Sequence, residues 1–144
     1  MGVMGQEWPD LVVSKTQVPR SGEILRRWYI GELVSESDVD QAQEVLTNWR
    51  AVHGFVRNTA AMGLRSRASR LGTQAEIASR TKARSSIYAK LAERPDPKLD
   101  ALGDIAGARA VLPTLEEQNG LVDAHDDADE VRRVLDYRDG KESG

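Results

Sequence analysis

Apolar residues at intervals of three and four mark the clearest element in the chain. Val39, Ala42, Leu46, Trp49, His53, Val56 and Ala60 fall on one stripe and predict a helix that buries this face. Ser37 stands where an N-cap is needed, and Asp40 three residues later makes a capping-box-like pair with it. Gly54 and Gly63 weaken the far end, and residues 64–79 are read as a basic, serine-dotted connection or second helix. Upstream, residues 23–33 predict one short helix with Ile24, Leu25, Trp28 and Leu33 as its apolar set, although Gly31 argues against the last turn. Residues 1–22 are punctuated by Pro9, Pro19, Gly2, Gly5 and Gly22 and are expected to be loosely ordered. Leu11, Val12 and Val13 form a candidate buried anchor there, with Trp8 beside it.

In the second half the period shortens. Residues 77–82 are expected to run extended, and a helix should follow from Ser85 to about Glu93, with Ser85 and Ser86 as its caps. Ile87 and Leu91, four apart, would face the core, while Ser86 and Lys90 share a neighbouring face. Pro95 and Pro97 should end that helix. Residues 102–112, LGDIAGARAVL, read as a core strand. Strand alternation puts Asp104 on a face of small residues with Ala106, Ala108 and Ala110, and leaves Arg109 on the opposite face unless a bulge or the strand's end intervenes. A helix over 113–124 follows, with Thr114 as N-cap and Glu116 and Glu117 in its first turn, then a strand over 131–135 and a polar loop over 136–144. The predicted class is α+β, with N-terminal helices packed on a mixed sheet. Residues 1–36 form a loosely ordered region with a short helix, and residues 37–144 form the main unit.

At 144 residues, 40% hydrophobic and 30% charged, the chain is long enough for one domain with its own core. It has no cysteine, which excludes disulfides and thiolate metal sites and accords with a cytoplasmic location. No apolar run approaches the roughly 20 residues of a membrane span. The net charge of −3 conceals a segregation: residues 1–49 carry −4, residues 50–94 carry +8 and residues 95–144 carry −7. The central block is where an anionic partner should bind. Arg65, Arg67 and Arg70 within it are candidates for nucleotide or RNA phosphates, with a solvated helix face as the alternative. His53 is read as a helix histidine packed among its neighbours rather than a ligand, since no second ligand type lies near it. The acidic run over 123–130 lacks the glycine and spaced carboxylates of a calcium loop and is read as a solvated turn.

Chemistry concentrates between Arg80 and Arg109. Arg80, Lys82, Arg84 and Lys90 crowd around a helix start, and a single carboxylate, Asp104, follows after a proline-marked break. Clustered cations with one acid suit a polyphosphate and its metal ion. The spacing Arg80-x-Lys82-x-x-x-Ser86-Ile87-x-x-Lys90, then Asp104-Ile105-x-Gly107-x-Arg109, resembles the synthetase domain of the RelA/SpoT family. A weaker echo follows at Asp136-Tyr137 and at Lys141-x-x-Gly144. The resemblance implies a nucleotidyltransferase-like sheet and transfer of a pyrophosphate from ATP to the 3′ hydroxyl of GTP or GDP. It assigns Mg²⁺ to Asp104, phosphates to Lys82 and Lys90 with Ser86 as a hydrogen-bond donor, and the adenine to Arg80 and Arg109. Lys141 would belong to the acceptor side.

The family pattern continues beyond Gly144 with a guanine-stacking tyrosine, a Glu-x-Gln-x-Arg segment that supplies a second catalytic carboxylate, and the last strands of the sheet. The expectation is therefore an ATP half-site without most of the acceptor half, an incomplete sheet with an exposed edge, and weak activity of the isolated chain. Short members of the family include toxins of toxin–antitoxin pairs, some of which modify the 3′ end of tRNA, so tRNA is the alternative acceptor. A third expectation is a non-catalytic nucleotide-binding or regulatory remnant. Association with an antitoxin or a second copy through the open sheet edge goes with these readings.

Overall fold

The computed structural model describes residues 9–93 and 98–126. The class is α+β. Four helices, α1 (Gln17–Tyr29), α2 (Glu36–Arg70), α3 (Arg84–Glu93) and α4 (Leu115–Asp126), accompany a two-stranded antiparallel sheet of β1 (Glu76–Thr81) and β2 (Ala106–Val111). A 3₁₀ turn, Leu99–Ala101, lies between α3 and β2. The predicted strand at 131–135, the loop after it, Trp8, and the proline stop at Pro95 and Pro97 fall outside the described residues.

The first helix starts six residues earlier than its apolar spacing predicts. Ser14 and Gln17 exchange capping bonds: the Gln17 N–H donates to Ser14 Oγ (3.2 Å), and the Ser14 N–H donates to Gln17 Oε1 (2.7 Å). Pro19 then falls in the first turn, where a missing N–H costs nothing. Gly22, read from sequence as loop punctuation, lies inside α1 and faces the 3₁₀ turn, where a Cβ would stand 2.7 Å from Leu99 Cβ. Replacing Gly22 by Ala should therefore force α1 off Leu99. The expected loss is about 1–3 kcal/mol in a denaturant titration, and an unchanged midpoint would refute this close approach.

Both α1 and α2 end in the same way. Glu32 N–H bonds Arg27 O and Gly31 N–H bonds Trp28 O, with Gly31 at φ +89°. Thr73 N–H bonds Ala68 O and Gly72 N–H bonds Ser69 O, with Gly72 at φ +66°. These paired bonds around a left-handed glycine satisfy the last carbonyls and stop the helix. Leu33, placed in the apolar set of α1, thus lies beyond the stop and is 98% exposed. Of the anchor at residues 11–13 only Val13 packs on the core. Leu11 and Val12 are exposed, and Asn48 ties the segment down by accepting from Val12 N–H and donating to Asp10 O.

The second helix runs unbroken for 35 residues through Gly54 and Gly63 and absorbs the segment read as a connection. Its buried stripe follows Ala42, Val45, Leu46, Ala61 and Ala68, whereas Val56 is 53% exposed and Ala60 also faces solvent. The stripe drifts because a straight helix turns 3.6 residues per turn and its two halves meet different partners. The N-terminal half packs on α1, and the helix also packs on both strands. Leu25, Leu46, Ile87, Leu91, Leu99 and Ile105 gather in one core where α1, α2, α3 and the 3₁₀ turn meet. The strands pair with Arg80 opposite Gly107 and Ala78 opposite Arg109. Their half-buried residues, among them Ser79, Thr81, Ala106 and Ala108, alternate with exposed ones. The small side chains of β2 let a long helix lie close to the sheet.

Candidate functional site

Three elements bring the charged residues together. Lys82 follows β1 directly, and its backbone is fixed at both ends: its N–H donates to Ile105 O (2.7 Å), and its carbonyl accepts from Arg50 Nε on α2 (3.2 Å). Lys90 stands in the last turn of α3, just before Leu91, which is fully buried. Asp104 is not inside the strand, as the alternation predicted, but in the turn that precedes β2. Both ammonium groups close on a single oxygen: Lys82 Nζ is 2.9 Å and Lys90 Nζ 2.8 Å from Asp104 Oδ2.

Placing Asp104 in a turn removes the conflict over Arg109. Strand parity no longer relates the two, and Asp104, Lys82, Arg80 and Arg109 all line one cavity of about 500 Å³, with Ala78 and Gly107 between the arginines. Directly paired residues share a face of the sheet, so Arg80 and Arg109 stand diagonally on one exposed face. Gly107 belongs to that face, and a Cβ on it would meet no atom within 4 Å. Nothing in the packing of the described residues requires glycine there; its bareness leaves a flat floor between two guanidiniums.

The electrostatics are those of a carboxylate held by cations. Hydrogen bonding from Lys90 is the strongest influence on Asp104; Lys82 adds to it, and partial burial opposes both, leaving a pKa of about 2 against an ordinary 3.8. Because the folded value is depressed, the stability contributed is complete above 3.8 and is lost as pH falls towards about 2. The Asp104 side chain is 47% exposed, so solvent screening keeps that contribution below about 1 kcal/mol. Acid melts of the wild type and of Asp104→Asn should accordingly converge only below pH 3.8. A constant difference through that window would mean that the ion pairs contribute nothing.

Among the residues predicted for the site, Lys82, Lys90 and Asp104 touch, and Arg80 and Arg109 flank the same cavity. Ser86 is exposed, one helical turn before Lys90, and is not in the cavity lining. Neither Ser85 nor Ser86 starts the helix: Ile87 N–H bonds Ala83 O, which puts both inside the first turn. Lys141 lies outside the described residues. Arg84, grouped with the phosphate-binding cations by sequence, turns away to α2, where Nη1 donates to Gln43 Oε1 (2.8 Å) and Nη2 to Thr47 Oγ1 (2.5 Å).

His53 packs as expected: its ring lies 4.5 Å from that of Trp49, and Nδ1 is 2.8 Å from Trp49 O. His125 and Asp126, expected in a solvated turn, instead complete α4, and His125 Nδ1 is 2.9 Å from Leu121 O. A larger cavity of about 640 Å³ lies where the C-terminal end of α2 meets the far end of the sheet, lined by Arg65, Ser69, Gln74, Glu76, Val111 and Pro113 among others. Its charged residues form no cluster comparable to that at Asp104, so size alone does not mark the functional site. Among the described residues no group of three His, Asp or Glu side chains could cage a metal ion, and no helix is long and apolar enough to cross a membrane.

Sequence reasoning missed Gln43, Thr47 and Arg50. They are polar residues beside the apolar stripe of α2, and periodicity treats such positions as solvent-facing. Compared with known proteins, the chain matches no family model and no curated protein. The motif residues and their geometry are therefore the support for any functional reading.

Proposed function

We propose that this chain carries the ATP-binding part of a RelA/SpoT-like pyrophosphokinase, built on a nucleotidyltransferase-like synthetase fold. The supporting observation is the meeting of Lys82 and Lys90 on Asp104 Oδ2 beside the face that holds Arg80 and Arg109. The ammonium groups are placed to take phosphate oxygens when a triphosphate displaces them from the carboxylate. The two guanidiniums across the bare Gly107 floor offer flat surfaces for an adenine.

The residues fit Mg²⁺ in the form it usually takes with nucleotides, held by one carboxylate together with substrate phosphates. Both lysines occupy Oδ2, which leaves Asp104 Oδ1 available to such an ion. When bound, Mg²⁺ supplies charge neutralisation at the transferred phosphates. In the reaction, the acceptor's 3′ oxygen forms a bond to the β-phosphorus of ATP, the bond from that phosphorus to the bridging oxygen of the α-phosphate breaks, and AMP leaves. The hydroxyl proton passes to solvent or to a base on the acceptor side. Lys82 and Lys90 hold the β- and γ-phosphates during this step, and Arg80 and Arg109 keep the base from swinging.

Gly107→Val tests the base-binding face without touching the charges. Valine suits a strand and has open space, so the melting temperature should hold or rise. MgATP affinity, measured by calorimetric titration, should fall at least about tenfold, the loss of roughly 1.4 kcal/mol. Equal affinity in the two proteins would place the base elsewhere.

A further inference from the structure

We propose that Gln43, on α2, is a positioning residue for the lysine pair: through Arg84 and Tyr88 it sets the rotation of α3 and so brings Lys90 onto Asp104. The functional weight of this role rests on the reading above, but the geometry stands apart from it. One side-chain oxygen, Gln43 Oε1, accepts from Arg84 Nη1 (2.8 Å) and from Tyr88 Oη (2.8 Å). Arginine only donates, so the atom facing it must be the amide oxygen. Arg84 and Tyr88 are four apart and occupy one face of α3. Lys90 lies two residues beyond Tyr88, about 200° around the helix, and therefore projects from the opposite side.

The apolar contacts of α3 do not by themselves fix this orientation. Ile87 and Leu91 are fully buried and fix which face of α3 turns inward, but a small roll would keep both inside while drawing Lys90 away from Asp104. Hydrogen bonds are directional, and a pair of them on one oxygen, one turn apart, resists that roll. The Tyr88 ring is held in turn by Trp28 in edge contact (5.5 Å) and by Tyr29 (5.8 Å). Thr47, one turn along α2 from Gln43, receives the second Arg84 nitrogen. Arg50 then bonds the carbonyl of Lys82. One face of α2 thus fixes both lysines, Lys82 through its own backbone and Lys90 through the helix that carries it.

The test is the placement of Lys90, followed by NMR on the full chain through nuclear Overhauser contacts between its side chain and that of Asp104. The wild type should show them, as the 2.8 Å pair requires. Gln43→Leu keeps the volume and removes the acceptor, so the Lys90 contacts should be lost while those of Lys82, whose backbone is held by Arg50, remain. Gln43→Glu retains an acceptor oxygen facing Arg84 and should restore the Lys90 contacts. Leu121→Ala, which truncates a buried residue of α4 outside the core that holds α3, should leave them unchanged. Should Gln43→Leu not fold, Gln43→Asn withdraws the same oxygen by one methylene and is expected to lose the contacts likewise. Wild-type contacts in the leucine or asparagine variant, or an equal loss in Leu121→Ala, overturn the proposal. MgATP titration separates the two claims. Retained Lys90 contacts in Gln43→Leu with MgATP bound by the wild type defeat the positioning role alone. Lost contacts in Gln43→Leu with no MgATP binding by the wild type support the positioning role and defeat the functional reading.

Discussion

Asp104→Asn is expected to abolish the effect of magnesium on nucleotide binding. The carboxylate occupies the two ammonium groups; on the proposed reading it also offers an oxygen to the ion, so ATP without Mg²⁺ would have to compete with Asp104 for Lys82 and Lys90. The asparagine keeps the shape and removes the charge. ATP without Mg²⁺ should then bind as well as in the wild type or better, because neither lysine is neutralised. The gain from adding Mg²⁺ should disappear. If transfer is measured, the loss should be on the order of 10²–10³-fold, the usual effect of removing one preorganised charge-stabilising group. Titrations with and without Mg²⁺ check this directly. If Mg²⁺ strengthens binding equally in both proteins, Asp104 does not hold the ion.

The largest stability loss is expected at Leu46. This side chain is fully buried where α1, α2 and α3 meet. Truncation to alanine removes its contacts and leaves a cavity that a packed helix junction fills only in part, at a cost of about 2–5 kcal/mol. For a chain of this size that corresponds to a fall in melting temperature of roughly 10 °C. Val56→Ala supplies the contrast, because Val56 sits on the same predicted stripe but is 53% exposed and should change stability by less than about 0.5 kcal/mol. Thermal unfolding of the two variants tests whether the stripe drifts as described. Equal losses would restore the straight stripe that the apolar spacing suggested.

That drift shows where sequence was informative and where it was not. The extended segment at residues 77–82, the helix carrying Lys90 and the helix after Pro113 were all legible, because each has a clean local period or a cap: β1 is Glu76–Thr81, and Thr114 Oγ1 does accept from Glu117 N–H. That Lys82, Lys90 and Asp104 would come together was expected from the motif spacing; that both ammonium groups would pair directly with the carboxylate was not. The start of α1 was obscured because Pro19 and Gly22 look like breakers, although Ser14-x-x-Gln17 was a capping signal in plain sight. Gly54 and Gly63 likewise looked like a boundary inside α2, but each costs a helix only about 1 kcal/mol, which packing along its length outweighs. The position of Asp104 was misjudged for a different reason. A turn that hands its last residues to a strand looks in sequence like the strand itself. Gln43 carried no local signal, since its importance arises only when α3 folds against α2.

The most direct test of the central claim is a calorimetric titration of MgATP into the wild-type chain and into the Lys82→Ala, Lys90→Ala double variant. Saturable binding by the wild type, weakened at least about tenfold when both ammonium groups are gone, is the predicted result. No binding by the wild type, or the same affinity in both proteins, would contradict it, because the lysines and Asp104 would then be a salt bridge on the surface and nothing more.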